Sequence, residues 1–548
     1  MKQRFKKPEI WTIISYITLA VFLLIFIYPL VNLLRQAFFR DDVFTLDNFV
    51  RFFSKNYYTN TIKNSFKVSI LTTAMTLLIG IPYSYFYSFY QLKGRKLLII
   101  LSVICAMSAP FVGAYAWTLL LGRAGTITKF FKSIGIIIPT IYGMGGIVLV
   151  QTTKFYPLAL IYMNGAFRNI DNSLMEVAEN LGCTGLRRFW KILMQLSMPT
   201  VLAAALLVFM RAFADFGTPM LIGEGFKTFP VEIYNQFVSE MADDWGFASA
   251  ISFIAIFITG AIFLLQRFAS KKFQFSLNAL HPIQKKEAKG LRGVLMHGYV
   301  YLVTAISIIP QIFVIYSSFR NSNDVAFMPG YSFGNYETAV KRNLLGATKN
   351  TLTIGVVALF LIVLLAVIIS YLTVRRSNKV NNTIDTISML PYIIPGSVIG
   401  IALLTSFNKK PLAISGTILI MIVASVVRRL PYTTRSATAT LMQIPMSMEE
   451  ASISLGASKL KTFSKITVPM MSSGIISGAI LSFVAIITEV SSAVILYNNS
   501  TMTLTIGTYI SIAYSRGVPA AFASVTTLIT VVVLLIYIRV TGTEDVKL

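Results

Sequence analysis

The chain has 548 residues, 55% of them hydrophobic and only 13% charged, with a mean hydropathy of +0.70. Soluble globular domains do not carry that balance, whereas a hydrocarbon core takes roughly 20 apolar residues per helical span. The net charge of +26 invites a nucleic-acid reading, but the placement of the charge argues against it.

In chain order, apolar runs predict helices at about 10–34, 66–90, 97–121, 141–165, 200–223 and 247–266. A second set follows at about 294–319, 350–374, 383–407, 414–440, 473–497 and 520–540, giving about twelve spans. The short alternating strands of a membrane barrel are absent. The first run follows a basic stretch, as in a signal peptide, but it is too long and lacks a small-residue cleavage site, so a retained helix is expected. Basic residues collect between alternate spans: Lys2, Arg4, Lys6 and Lys7; Lys93, Arg95 and Lys96; Arg187, Arg188 and Lys191; Lys271, Lys272, Lys285, Lys286, Lys289 and Arg292; Arg375, Arg376 and Lys379; Lys459, Lys461 and Lys465. The intervening loops are mixed or acidic, as at Glu224, Glu232, Glu240, Asp243 and Asp244. The positive-inside rule then puts both termini and the basic loops in the cytoplasm. Cys105, Cys183, His281 and His297 form no disulfide framework or metal constellation by spacing.

The two halves repeat. Glu176-Val-Ala-Glu-Asn-Leu-Gly182 with Ile192 returns 274 residues later as Glu450-Ala-Ser-Ile-Ser-Leu-Gly456 with Ile466. At the same offset Lys154 matches Arg428, Pro157 matches Pro431, Ile170 matches Ile444 and Phe189 matches Phe463. Upstream the offset becomes 286, pairing Asn64 with Asn350, Ser84 with Ser370 and Tyr85 with Tyr371. The 12 extra residues are expected in the outer loop around Gly122-Arg-Ala-Gly125. Six spans per half make this a parallel duplication, not an inverted one. The expected division is residues 1–266 as one six-helix repeat, 267–292 as a polar cytoplasmic linker, and 293–548 as the second repeat.

The repeated polar segment resembles the EAA-x3-G-x9-I-x-L-P loop of binding-protein-dependent ABC importer permeases. The second copy fits through Pro469; the first departs at its end, with Gln195 in the proline position and Pro199 four residues on. The resemblance implies that Glu176, Ala178, Gly182 and Ile192, and Glu450, Ala451, Gly456, Ile466 and Pro469, couple to a cytoplasmic ATPase. The residue types suit a docking loop. Asp171 and Asn172, or Ser447 with Glu450, can cap a short helix; Ala178 and Ala451 keep a face small; Gly182 and Gly456 supply a left-handed turn. The basic stretch Leu186-Arg-Arg-Phe-Trp-Lys-Ile192 suits a membrane surface. No Gly-x4-Gly-Lys-Ser/Thr loop occurs, so ATP hydrolysis requires a separate subunit.

Asp215 and Glu489 lie within apolar spans, again 274 residues apart. Intramembrane acids are functional candidates by default, and this pair is expected to line a cation-attracting pathway or to serve structure through a nearby base such as Arg211 or a broken helix. Lys154 and Arg428 are expected to snorkel toward cytoplasmic helix ends. The segment Asp215-Phe-Gly-Thr-Pro-Met-Leu-Ile-Gly223, continuing to Phe229-Pro-Val-Glu-Ile-Tyr234, resembles fused permeases for ferric iron and their relatives for aminoethylphosphonate and thiamine. These features imply an all-α polytopic membrane protein of the type I ABC importer permease fold. It is not an enzyme and holds no cofactor or metal. Its expected partners are two copies of an ABC ATPase, an extracytoplasmic solute-binding protein and the lipid of a bacterial inner membrane. Ferric iron is the first candidate cargo. The alternatives are another small solute in the same architecture, or a twelve-span secondary transporter of the major-facilitator type, which needs no docking loop in each half.

Overall fold

The computed structural model describes residues 10–238, 245–272, 285–323 and 326–541. The basic N-terminal residues Lys2 to Lys7, the loop acids Glu240, Asp243 and Asp244, His281 and most of the linker's centre lie outside them. The structure is helical throughout, with three two-stranded pairings at its edges. Among the described residues, eight helices are long and apolar enough to cross a membrane, and three helix pairs, bent by 101°, 111° and 68°, do so when each pair is taken as one span. The remaining expected span is the 25-residue helix Ile418–Met442, whose apolar run is interrupted by Arg428, Arg429 and Arg435.

The duplication is visible in packing. In each half the most extensive helix contact joins the second and fourth spans, Asn56–Phe89 to Met144–Arg168 and Leu344–Arg375 to Ile418–Met442. Asn56–Phe89 buries Ser65, Ser69, Thr72, Thr76, Gly80 and Ser84. Small residues let backbones approach closely where apolar lipid gives no hydrophobic drive; a Cβ on Gly80 would stand 2.6 Å from that of Ala159. Repeat-related hydrogen bonds recur. Ser65 Oγ accepts from the Phe229 amide at 2.8 Å, and Thr351 Oγ1 from the Leu504 amide at 2.9 Å. Ser84 Oγ donates to the Leu160 carbonyl and Ser370 Oγ to that of Thr434.

The third span of each half breaks at a proline, between Met107 and Pro110 and again between Tyr392 and Gly396, after Pro395. Proline forces its predecessor toward extended backbone, and both breaks turn their second segments inward. Helix Thr126–Ser133, between the third and fourth spans of the first half, has no helical counterpart in the second, where residues 407–417 make the connection. The change of offset falls in that interval, as the loop around Gly122 led one to expect. Each half's first span crosses to the other half: Tyr28–Phe38 packs on Gly396–Ser406, and Gly290–Ser318 packs on Arg95–Met107 and Pro110–Leu121.

Candidate functional site

Two constructions stand out, one at an end of the molecule and one at its centre. At the end, each repeat presents a short helix, Asn172–Asn180 and Ser447–Ser454. Asp171 caps the first, accepting from the Ser173 amide at 2.9 Å. Ser447 does not cap the second, contrary to expectation: it is the first helical residue, and Met446 before it offers no side-chain acceptor. Glu449 and Glu450 in that first turn complement the helix dipole instead. Gly182 and Gly456 end the two helices at φ 73° and 87°, the left-handed region where a side chain is strained. Nothing lies within 4 Å of a Cβ at either position, so the backbone angle alone selects glycine.

Glu176 and Glu450 are both exposed. Glu176 accepts from Asn172 Nδ2 at 2.7 Å. Ala178 is buried within its own repeat, and Ala451 is exposed, so only the latter presents a small outward surface. Ile192 and Ile466 are half-buried and lie in π-helical turns, Phe189–Leu193 and Phe463–Thr467, at identical repeat positions; Pro469 is exposed just beyond. The aromatics of these turns hold the loops to the second spans: Phe189 meets Tyr85 at 5.1 Å, and Phe463 meets Tyr371 at 4.8 Å. Two residues that the motif comparison passed over are the leucines before the glycines. Leu181 is 81% and Leu455 90% exposed, although both sit in polar loops. The leucine recurs at the same repeat position beside each tight turn, and its signal was present in the repeated Leu-Gly pair.

The two helices are fixed differently beneath. In the second repeat Glu449 is buried and accepts from Arg375 Nε at 2.9 Å and Tyr371 Oη at 3.3 Å, while Arg375 Nη2 donates to the Ile444 carbonyl at 2.7 Å. The corresponding residues of the first repeat, Met175 and Phe89, belong to one apolar cluster. There the polar support lies at the surface: Arg188 Nη1 donates to Glu179 Oε2 at 2.8 Å, with Lys286 Nζ at 3.6 Å from the same oxygen. Arg188 first, then Lys286, holds the Glu179 carboxyl below its usual range. The linker is docked here too, through parallel pairing of Tyr90–Gln91 with Lys286–Glu287.

At the centre, residues of both halves line an open cavity of about 210 Å³. Its wall includes the third-span breaks at Ser108, Pro110, Pro391 and Ile394, and both Asp215 and Glu489. Each acid sits where a span stops, after Phe213 and after Ile487, before helices Gly217–Ile222 and Ala493–Leu496 begin. Asp215 Oδ1 accepts from the Gly217 amide at 3.2 Å, and Oδ2 from Gln151 Nε2 at 3.0 Å. Glu489 is bonded to both Arg428 and Arg429 and accepts from Ser491 Oγ at 2.9 Å and the Ser492 amide at 3.1 Å. Lys154 and Arg428 do not reach the cytoplasmic helix ends. Each is the eleventh residue of a 25-residue helix and lines the cavity. Arg211 likewise turns to the cavity, 5.8 Å from the centre of the Tyr432 ring, rather than pairing with Asp215. Depth costs a lone cation dearly, but a polar cavity at mid-span removes the need to snorkel.

A duplicated helical body with a central polar cavity and a short exposed-loop helix repeated in each half is the build of a two-lobed membrane permease. The chain belongs to the family of binding-protein-dependent transport system inner membrane components, which matches residues 1–274 and 358–542. It is a permease subunit of such an importer, spanning the inner membrane many times, and the secondary-transporter alternative falls away. The ferric transport system permease protein FbpB of Actinobacillus pleuropneumoniae is 26% identical over 560 residues, covering 96% of this chain and 78% of that one. The spermidine/putrescine transport system permease protein PotB of Salmonella typhimurium strain LT2 is 26% identical over 280 residues, covering 49% of this chain and 94% of its own. Among solved structures, a bacterial ABC transporter involved in import of the acidic polysaccharide alginate matches with a TM-score of 0.40 and 17% identity, over 48% of this chain and 96% of that one.

Proposed function

We propose that this chain forms the complete translocation unit of an importer driven by two copies of a separate cytoplasmic ATPase. Each copy docks on one short helix, through Leu181 and the Glu176–Gly182 segment or through Leu455 and the Glu450–Gly456 segment. Ile192, Ile466 and Pro469 carry the motion into the spans; Ala451 shapes the face of the second helix, while Ala178, buried, packs the first onto its own repeat. The observation that carries this reading is the pair of docking helices in register, each ending in a bare leucine and a left-handed glycine. Both termini and the 267–292 linker lie in the cytoplasm on the positive-inside rule, between repeats at 1–266 and 293–548. An extracytoplasmic binding protein delivers cargo to the opposite face. The central cavity is the pathway, and Asp215 and Glu489 belong to it as counter-charges.

Ferric iron is the first candidate cargo, because the relative matched along nearly the whole chain is a ferric transport permease. The test is reconstitution with the partner ATPase and binding protein, followed by uptake of labelled ferric iron, aminoethylphosphonate and thiamine in parallel. ATP-dependent accumulation of iron alone is expected. Co-elution with the ATPase that survives removal of both docking segments would defeat the docking assignment. Electrostatics raise a further question about the form in which iron crosses. A bare trivalent cation about 8 Å from one uncompensated positive charge is disfavoured by about 6 kcal/mol at an effective dielectric of about 20.

A further inference from the structure

The cavity carries more positive charge than its carboxylates offset. Lys154 and Arg211 from the first repeat and Arg428 and Arg429 from the second line it, against Asp215 and Glu489. Glu489 is engaged by both Arg428 and Arg429. Asp215 is engaged by Gln151 and by the start of helix Gly217–Ile222. Neither Lys154 nor Arg211 forms an ion pair among the described residues. Arg211 is hydrogen-bonded to Tyr392 and lies 5.8 Å from the centre of the Tyr432 ring, both neutral partners that also line the cavity. The two carboxylates therefore do not form a cation trap; they balance part of a cationic wall.

Uncompensated charge at mid-span is stable only if water or a ligand solvates it. An ammonium, a guanidinium and phenolic hydroxyls converging on one space are the chemistry that recognises an oxyanion. We propose that the cavity seats an oxyanion of the carboxylate or phosphate type between Lys154 and Arg211, and that a metal ion crosses only within a complex carrying such an anion. This rests on the cavity's being the pathway.

The experiment uses the full importer in proteoliposomes with its binding protein and ATPase. One arm supplies labelled ferric iron with labelled citrate or labelled orthophosphate; a second supplies each labelled anion without metal. Anion entering with iron in fixed ratio supports the proposal and assigns the seat to the metal's own ligand; anion that enters only without metal, iron crossing unaccompanied, overturns it. Iron entering without either label overturns it. A third arm substitutes Lys154→Gln and Arg211→Gln together, with Lys154→Arg as the conservative variant and co-elution with the ATPase as the check on folding. Uptake at low cargo should fall tenfold or more, chiefly through KM, and Lys154→Arg should retain it. Uptake unchanged or raised in the folded double variant overturns the proposal. The pathway reading is tested separately by Ala485→Trp, which obstructs the cavity without removing charge. Transport unaffected by that bulk removes the pathway reading itself, whatever the anion arms show.

Discussion

Asp215 and Glu489 occupy the same repeat position yet make different bonds, and one methylene accounts for much of the difference. The longer glutamate reaches two arginines; the aspartate closes over the amide two residues on and takes Gln151. Removing charge should therefore act unequally. Glu489→Gln leaves two half-buried, cavity-lining guanidiniums without their carboxylate and is expected to cost about 2–3 kcal/mol, less than the one-sided loss of a fully buried pair. Asp215→Asn keeps an oxygen for the Gly217 amide and weakens mainly the bond from Gln151, at about 1 kcal/mol. Thermal melting of the purified protein checks this, and equal shifts from the two variants would contradict it. The equal spacing of the acids was legible in the sequence, and so was the pairing of Lys154 with Arg428. Their depth and their partners were not. A lysine in an apolar run reads as snorkelling because lipid is the default surround, and only the folded arrangement reveals an internal polar space. Likewise Glu449 and Glu450 are neighbours in sequence, but which one turns inward is decided by Arg375, 74 residues away.

The repeated short helices Asn172–Asn180 and Ser447–Ser454 show how one element can be supported by different chemistry. Their existence, spacing and glycine ends were readable from the repeat, since φ > 0 leaves a sequence mark. Their undersides were not, because an ion pair in one half is replaced by Phe89 and Met175 in the other. Gly182→Val and Gly456→Val should strain each turn by about 1–3 kcal/mol and lower ATPase stimulation and uptake while membrane insertion persists. Full transport by the double variant would refute the turn's role. Leu181→Asp with Leu455→Asp should abolish co-elution with the ATPase and leave the melting temperature within about 1 °C, since surface changes of this kind cost little. The buried pair permits a sharper test. Glu449→Met or Arg375→Phe alone should destabilise by about 3–5 kcal/mol, whereas the two together reproduce the first repeat's solution and should recover most of that loss. A double-mutant cycle on melting measures it, and strict additivity would speak against the pairing.

Across the molecule, the halves are interlocked rather than set side by side. The first span of each lies on the other, and residues 286–287 of the linker run alongside residues 90–91 of the first half. The two halves are therefore held together by contacts that do not depend on the covalent connection. Expressing residues 1–274 and 285–548 as separate chains should yield a complex that co-purifies through one tagged half. Recovery of the tagged half alone would show that the crossing spans are insufficient.

The cavity's composition also bears on why the two halves share one polypeptide. A pair of identical subunits around a two-fold axis can contribute any side chain only in twos, so every charge meets its own image. In this chain Arg211 faces a second half that carries Ala485 at the same place, and Phe155 is answered by Arg429. Those unmatched positions give the passage an odd-sided interior, with the cations that form no ion pair on one flank and the carboxylate-paired ones on the other. Joining the halves releases the lining from that parity. A small cargo can then be gripped off the axis by residues that need satisfy no copy of themselves.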